Sequence, residues 1–226
     1  MNSLTLQHHY LVSPYKQITH PSVTSKTKRL IDIIGALIGL IITGIVVIPI
    51  AIFIQLDNPG PLFYTQVRCG FLGKTFPMIK FRSMIVGAEK SKHLVENEAQ
   101  GCMFKNKRDP RITNIGHFLR KSSLDELPQF WNVLKGEMSL VGTRPPTINE
   151  VKLYQTHHWL RLNVKPGITG EWQVNGRSHV KNFEEVVDMD LKYQQKWSIA
   201  YDIQLIWKTI WVCLLYTSPS PRDSRR

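Results

Sequence analysis

The sequence predicts a mostly helical α+β protein seated on a membrane, and three observations carry that expectation. Ile33 to Ile54 runs without a single charged residue. As a straight helix at about 1.5 Å per residue, it is long enough to match a hydrocarbon core of about 30 Å. Two short β-prone runs, Leu62–Val67 and Phe76–Phe81, flank the glycine-containing stretch Cys69–Gly73, which is the pattern of a hairpin. Beyond them, Ile112–Lys121, Glu126–Leu134, Thr147–Asn163, Phe183–Trp197 and Ile203–Leu215 read as helices.

Taken in order, residues 1–25 are polar and aperiodic and read as a loose tail. The apolar run follows over 26–56. An interior helix of a soluble protein rarely stays apolar on every face for this long, and the run is too long and starts too late for a cleaved signal peptide. Its flanks do not settle how it sits. Lys26, Lys28 and Arg29 precede it, and Arg68, Lys74, Lys80 and Arg82 follow, so both sides are basic. Gly44 and Pro49 are candidate points for a break. From the residues alone, a single crossing and a re-entrant path that returns to the same side both remain open. Asp57-Asn58-Pro59-Gly60-Pro61 is a strong stop-and-turn signal.

Residues 86–108 are polar and read as mobile. The last helix is apolar apart from a stripe at Gln204, Lys208 and Thr209, and Trp197, Tyr201, Trp207 and Trp211 are aromatics of the interfacial type. Such a helix suits the headgroup layer, although an ordinary core-facing helix has the same pattern. Residues 216–226 change abruptly in composition and read as a disordered segment foreign to the fold.

Composition excludes several classes. Of 226 residues, 29 are Lys or Arg and 17 Asp or Glu, for a net charge of +12, and hydrophobic residues make up 42%, enough for a real core. The three cysteines, Cys69, Cys102 and Cys213, are far apart and form no CxxC pair. That argues against both a disulfide scaffold and a cysteine zinc site. His157-His158 has no third donor at metal-ligand spacing and reads as a surface pair. There is no Walker loop, Rossmann fingerprint, HExxH or nucleic-acid module, so nucleic acid is not an expected partner.

The densest chemistry lies between Asp109 and Arg144. Asp125 and Glu126 are adjacent acids ahead of a helix. Read conservatively, they cap it, through Ser122/Asp125, through Ser123/Glu126, or with Asp125 as the cap itself. Arg108, Arg111, Arg120, Lys121 and Arg144 bracket them. Arginines favour bidentate contact with phosphate oxygens, and acids among them can hold a divalent cation or attack phosphorus. Val164–Ser178 is a glycine-rich loop in which a backbone can approach a ligand closely.

These fragments have a characteristic order. Lys28-Arg29 and Asp32 precede the apolar run, Asp57–Pro61 follows it, and then come Lys80-Phe81-Arg82-Ser83-Met84, Leu119–Pro145 and Pro166–Ser178. From about Lys26 to Leu215, the chain resembles the bacterial sugar transferase family in its short, core-only form. The family comprises monotopic polyprenyl-phosphate hexose-1-phosphate transferases that initiate exopolysaccharide, capsule or glycan assembly. The resemblance implies a re-entrant, broken membrane helix at the cytoplasmic face of the bacterial inner membrane, with interfacial amphipathic helices around a catalytic domain over 57–215. It also implies UDP-sugar, polyprenyl phosphate and membrane lipids as partners, and Mg2+ as cofactor. Homo-oligomers and downstream glycosyltransferases are further partners it admits. Asp125 would be nucleophile and metal ligand, with Glu126 completing the acidic pair. Arg120 and Arg144 would bind phosphate, with Arg111, Lys80, Arg82 and Arg177 as further substrate contacts. The Trp172–Arg177 segment favours glucose or galactose. Thr143-Arg144-Pro145 departs from the family's Pro-Arg-Pro. The competing reading is a non-catalytic basic protein bound to the membrane surface.

Overall fold

The computed structural model describes residues 19–106, 108–175, 180 and 182–217, the last five by backbone alone. A short helix α1 (Pro21–Thr24) precedes the long α2 (Lys26–Asp57). The loose-tail expectation thus ends early. Within 19–25, His20 caps α1 and its Nε2 meets the carbonyl of Gln194 at 3.0 Å. The Ser25 side chain accepts from Lys28 N–H and caps α2.

α2 is continuous through both candidate break points. Gly44 stands in open space, and Pro49 forfeits one internal hydrogen bond without ending the helix. A single stripe, Lys28, Asp32, Ala36, Gly39, Thr43, Ile50 and Ile54, is buried against the rest of the protein. The remaining faces are bare and apolar, with Ile41, Ile45, Ile48 and Leu56 among the most exposed. Gly35 and Gly39 permit the close packing, since a Cβ there would stand 2.5 Å from Leu140 and 2.4 Å from the Phe130 ring.

Polar contacts fasten both ends of α2 to the same body. At the start, Lys28 Nζ reaches Asp202 Oδ2 at 2.6 Å, and Arg29 donates to the carbonyls of Val133 and Leu134 at 2.7 and 2.6 Å. Asp32 accepts from Ser139 Oγ and Leu140 N–H, both at 2.9 Å. At the far end, Asp57 Oδ2 accepts from Ile115 N–H at 2.9 Å.

The expected hairpin forms from β1 (Phe63–Cys69) and β2 (Thr75–Phe81), antiparallel, with Phe63 opposite Phe81 and Cys69 opposite Thr75. Phe76 and Met78 pack with Ala36, Val133 and Met138. The segment expected to be mobile, 86–108, is pinned where it is described, at 86–106 and 108. Met103 is 3% exposed and packs with Phe183, Val186 and Val187, while Asn97 bridges Ala99, Met103 and Lys105.

Next come α3 (Asn114–Ser122), a 3-10 turn over Leu124–Glu126, α4 (Gln129–Lys135) and β3 (Ser139–Val141). The expected helix Thr147–Asn163 is two pieces, α5 (Ile148–Val151) and a 3-10 helix over Thr156–Asn163. β4 (Gly167–Thr169) pairs with β3 in parallel, Ser139 opposite Gly167 and Val141 opposite Thr169. This pairing explains Gly167 and Gly170 of the 164–178 stretch, and Gly142 facing them, without a ligand, while Gly176 lies outside the described residues. A Cβ on Gly142, Gly167 or Gly170 would meet backbone atoms at 2.2, 2.1 and 2.0 Å. α6 (Glu171–Asn175), α7 (Phe183–Lys196) and α8 (Ile199–Thr217) complete the described chain.

α8 buries Asp202 and Leu205 and exposes Trp207 and Trp211. Of its expected polar stripe, Gln204 and Lys208 are exposed, whereas Thr209 turns inward to Thr169 Oγ1 at 2.5 Å. The segment expected to be foreign begins within α8, whose backbone reaches Thr217. Residues 218–226 lie outside the described residues.

Candidate active site

A cavity of about 540 Å³ opens between the hairpin, the start of the 86–108 segment, the α3–α4 junction and the start of α5. Its wall includes Lys80, Arg82, Arg111, Arg120, Asp125, Glu126 and Arg144. Seven of the eight catalytic and substrate-contact residues expected from sequence therefore face one cavity, although they span sixty-odd positions of chain. Arg177 lies outside the described residues.

The backbone around the acidic pair explains its position. α3 ends at Ser123, which adopts the left-handed conformation at φ 60° and turns the chain. The 3-10 turn that follows places Asp125 in the cavity wall at 5% exposure. Neither acid forms the side-chain cap that a conservative reading expects. Ser122 Oγ donates back to the carbonyls of Phe118 and Leu119, and neither the 3-10 turn nor α4 has a side-chain cap bond. Pro128 itself takes the cap position of α4.

Around this pair the cations are held in place. Lys80 Nζ, on β2, lies 2.7 Å from Glu126 Oε1. Arg120 Nε donates to Ser83 Oγ at 2.9 Å. Burial lowers the pKa of Arg120, and the nearby charge of Asp125 acts against that shift. Arg111 grips Asp109 through Nε at 2.8 Å and Nη2 at 2.6 Å, which holds the Asp109 carboxyl below its usual range. Arg82 uses its donors on Pro61 and Asn58, at 2.5 to 2.7 Å. It lines the cavity, yet those bonds make it the clasp between the end of α2 and the end of β2.

Arg144 forms a fork-to-fork pair with Glu150, both bonds 3.0 Å, and its guanidinium stands 5.8 Å from the Trp172 ring. Burial works to raise Glu150, but the Arg144 charge and hydrogen bonds prevail and hold it at about 2. Glu150 joins the site without being among the expected residues, although Thr147-x-x-Glu150 is a capping-box signature. Arg68, expected only as a basic flank of the apolar run, also joins it: alternation along β1 puts it on one face with Tyr64 and Gln66, all three lining the cavity. Lys80, opposite Tyr64, lines it too.

Hard oxygen donors suited to a divalent cation are present. Asp109 and Glu150 are each committed to an arginine by two bonds. Asp125 and Glu126 are adjacent carboxylates on the wall, and one or two carboxylates plus substrate phosphates and water is the usual Mg2+ environment.

Elsewhere, the His157-His158 pair does have a third donor. Glu184 meets His157 Nε2 at 2.9 Å and His158 Nε2 at 2.8 Å, and His158 is buried rather than at the surface. Gln155 N–H donates to His158 Nδ1 at 3.0 Å. The imidazole proton is thereby assigned to Nε2, which donates to Glu184. The trio is a hydrogen-bond clamp between the 3-10 helix and α7.

Comparison with known proteins adds the last observations. The family model described as "Bacterial sugar transferase" matches residues 23–216. The chain is 53% identical over 192 residues to the galactosyl transferase CpsE of Streptococcus agalactiae, covering 84% of this chain and 42% of that protein. It is 40% identical to the UDP-glucose:undecaprenyl-phosphate glucose-1-phosphate transferase of Escherichia coli, covering 81% of this chain and 39% of that one. The exopolysaccharide production protein ExoY of Rhizobium meliloti is 36% identical, with 83% of this chain and 85% of that protein covered. The chain thus spans about two fifths of the length of the first two relatives and most of the third.

Proposed function

We propose, as the chain belongs to the bacterial sugar transferase family, that it moves a hexose-1-phosphate from a UDP-sugar to a polyprenyl phosphate and releases UMP. The relatives' names point to galactose or glucose as the sugar and undecaprenyl phosphate as the acceptor. The observation that carries this reading is Asp125. It is a buried carboxylate held in a cavity wall by a sharp turn, makes no helix cap, and stands within the field of Arg120.

In the first step an Asp125 oxygen attacks the sugar-linked phosphorus. A P–O bond to Asp125 forms, the bond to the UMP oxygen breaks, and UMP leaves with that electron pair. In the second step an oxygen of the polyprenyl phosphate attacks the same phosphorus and the bond to Asp125 breaks. Polyprenyl-diphospho-sugar is formed and the carboxylate returns. Arg120 and Lys80 bring positive charge to the oxygens on which negative charge develops, and in a partly dry cavity that charge acts strongly. Asp125, with Glu126 beside it, would hold Mg2+, which would supply further charge neutralisation for phosphoryl transfer.

The membrane seat follows the same logic. The contacts of Lys28 and Asp57, at opposite ends of α2, are to one polar body. This supports a monotopic arrangement in which both ends of α2 stay with the polar body on one side of the membrane and its bare faces meet lipid. The cytoplasmic face of the inner membrane is the side that UDP-sugar reaches.

The test is UMP release from UDP-galactose and UDP-glucose with Mg2+ and undecaprenyl phosphate. Lipid-dependent UMP with a lipid-linked sugar product is expected. Absence of UMP with every UDP-sugar tried overturns the reading.

A further inference from the structure

Arg68 stands in the cavity wall at the end of β1. Its hydrogen bonds run only to neutral acceptors, Nη1 to the Pro145 carbonyl at 3.1 Å and Nη2 to Gln66 Oε1 at 2.7 Å. A guanidinium has five N–H donors, and here the Nε–H is buried without an acceptor. No ion pair forms on Arg68 among the described residues. The two carboxylates whose charge reaches it are held by other cations, Glu150 by Arg144 and Glu126 by Lys80. Arg144 is close enough to repel it. Burial first, and then Arg144, push its pKa down to about 10.

Burying a cation without a counter-charge is expensive, and two arginines placed side by side attract an anion. Glu150 neutralises one charge of the Arg68–Arg144 couple, so a net positive charge remains at this end of the cavity. The other arginines of the wall are matched differently. Arg111 is paired with Asp109, while Arg120 lies in the field of Asp125. Glu126 acts on both Arg68 and Arg120.

We propose that Arg68 is an anion-binding residue of this cavity and that its ligand is the nucleoside-linked phosphate of the nucleoside diphosphate donor, the one that departs with the nucleotide. The inference rests on the transferase reading above. When the bond to the sugar-linked phosphorus breaks, the bridging electron pair stays on the departing phosphate, which gains negative charge. Arg68 is paired only when that anion is present, so it favours the charged leaving group over an empty site. Arg144, bonded to Glu150, keeps the second guanidinium fixed beside it.

The experiment compares wild type, Arg68→Gln and Arg68→Lys by isothermal titration with UDP and by kinetics with each substrate varied. Melting temperatures serve as the check on folding. Arg68→Gln is expected to weaken UDP binding and raise KM for UDP-sugar by about 10- to 100-fold, the range for a lost charged hydrogen bond, with KM for polyprenyl phosphate unchanged. Arg68→Lys keeps the charge, loses the planar fork and should weaken UDP binding several-fold. It decides the matter if the Gln variant does not fold. Wild-type UDP affinity in the folded variants overturns the proposal, as does a change confined to KM for polyprenyl phosphate, or no UDP binding by the wild type. UDP titration needs no turnover. A chain that binds UDP through Arg68 but never releases UMP would therefore fail the transferase reading and not this one.

Discussion

Arg144 and Glu150 face one another through two 3.0 Å hydrogen bonds, Nη1 to Oε2 and Nη2 to Oε1. Glu150 also accepts from Thr147 N–H at 2.8 Å, so one carboxylate both fixes a cavity arginine and caps α5. Its pKa falls from an ordinary 4.5 to about 2 on folding. A carboxyl lowered in this way adds stability above its unfolded value and loses it as pH falls through the folded one. The contribution, of order 3 kcal/mol at neutral pH, should disappear between about pH 4.5 and about pH 2. Acid unfolding monitored by circular dichroism should show Glu150→Gln to be less stable at pH 7 and flatter across that window. Parallel acid profiles would refute the assignment.

The buried pair Lys28–Asp202 anchors the start of α2 to α8 at 2.6 Å. Asp202 also accepts from Tyr193 Oη–H at 2.8 Å and Trp197 Nε1–H at 3.1 Å. Lys28→Met leaves this carboxylate buried without its cation, and about 3–5 kcal/mol of stability should be lost. Lys28→Met/Asp202→Asn should recover part of that loss. A double-mutant cycle on melting temperature in detergent checks it, and additive losses would show that the two groups do not interact.

Two glycines of α2 should respond in opposite directions. At Gly39 a Cβ would sit 2.4 Å from the Phe130 ring, and at Gly44 it would meet nothing within 4 Å. Gly39→Ala should destabilise by about 1–3 kcal/mol through overpacking. Gly44→Ala should be neutral or stabilising by up to about 1 kcal/mol, since alanine favours the helix. Thermal unfolding in detergent separates them. If Gly44→Ala reduces activity without affecting stability, Gly44 has a conformational role beyond the packing described.

Ser123 holds the turn that presents Asp125, at φ 60° and ψ 14°. Ser123→Gly should be tolerated. Ser123→Val places a β-branched residue in the left-handed region, which should cost about 1–3 kcal/mol and displace the acidic pair. UMP release alongside melting temperature tests this. Equal activity in both variants would mean that the turn does not position Asp125.

Regular spacing and chemistry made much of this molecule legible in the sequence. The charge-free run gave α2, two β-prone runs around a glycine-containing stretch gave the hairpin, and the clustered acids and arginines between Asp109 and Arg144 proved to share one cavity. What escaped depends on contacts remote in sequence. The parallel pair β3–β4 is three residues a side, too short to show a period, and its glycines serve backbone packing. The 86–108 segment is polar, yet Met103 fixes it to α7. His158 gains Glu184 from 26 positions away, a meeting that no local spacing reveals. Arg68 looked like one more basic flank of an apolar run, and strand alternation was the signal that would have set it on the face of Lys80.

The central claim is covalent transfer through Asp125, and the most direct measurement omits the lipid acceptor. Protein, UDP-sugar and Mg2+ are mixed without polyprenyl phosphate, UMP is quantified, and the protein is analysed by intact and peptide mass spectrometry. The account predicts a burst of UMP of about one per protein molecule and a hexose-phosphate adduct on the peptide that contains Asp125, both absent in folded Asp125→Asn. Lipid-dependent turnover by the wild type with neither burst nor adduct would contradict it and indicate direct transfer between the two substrates.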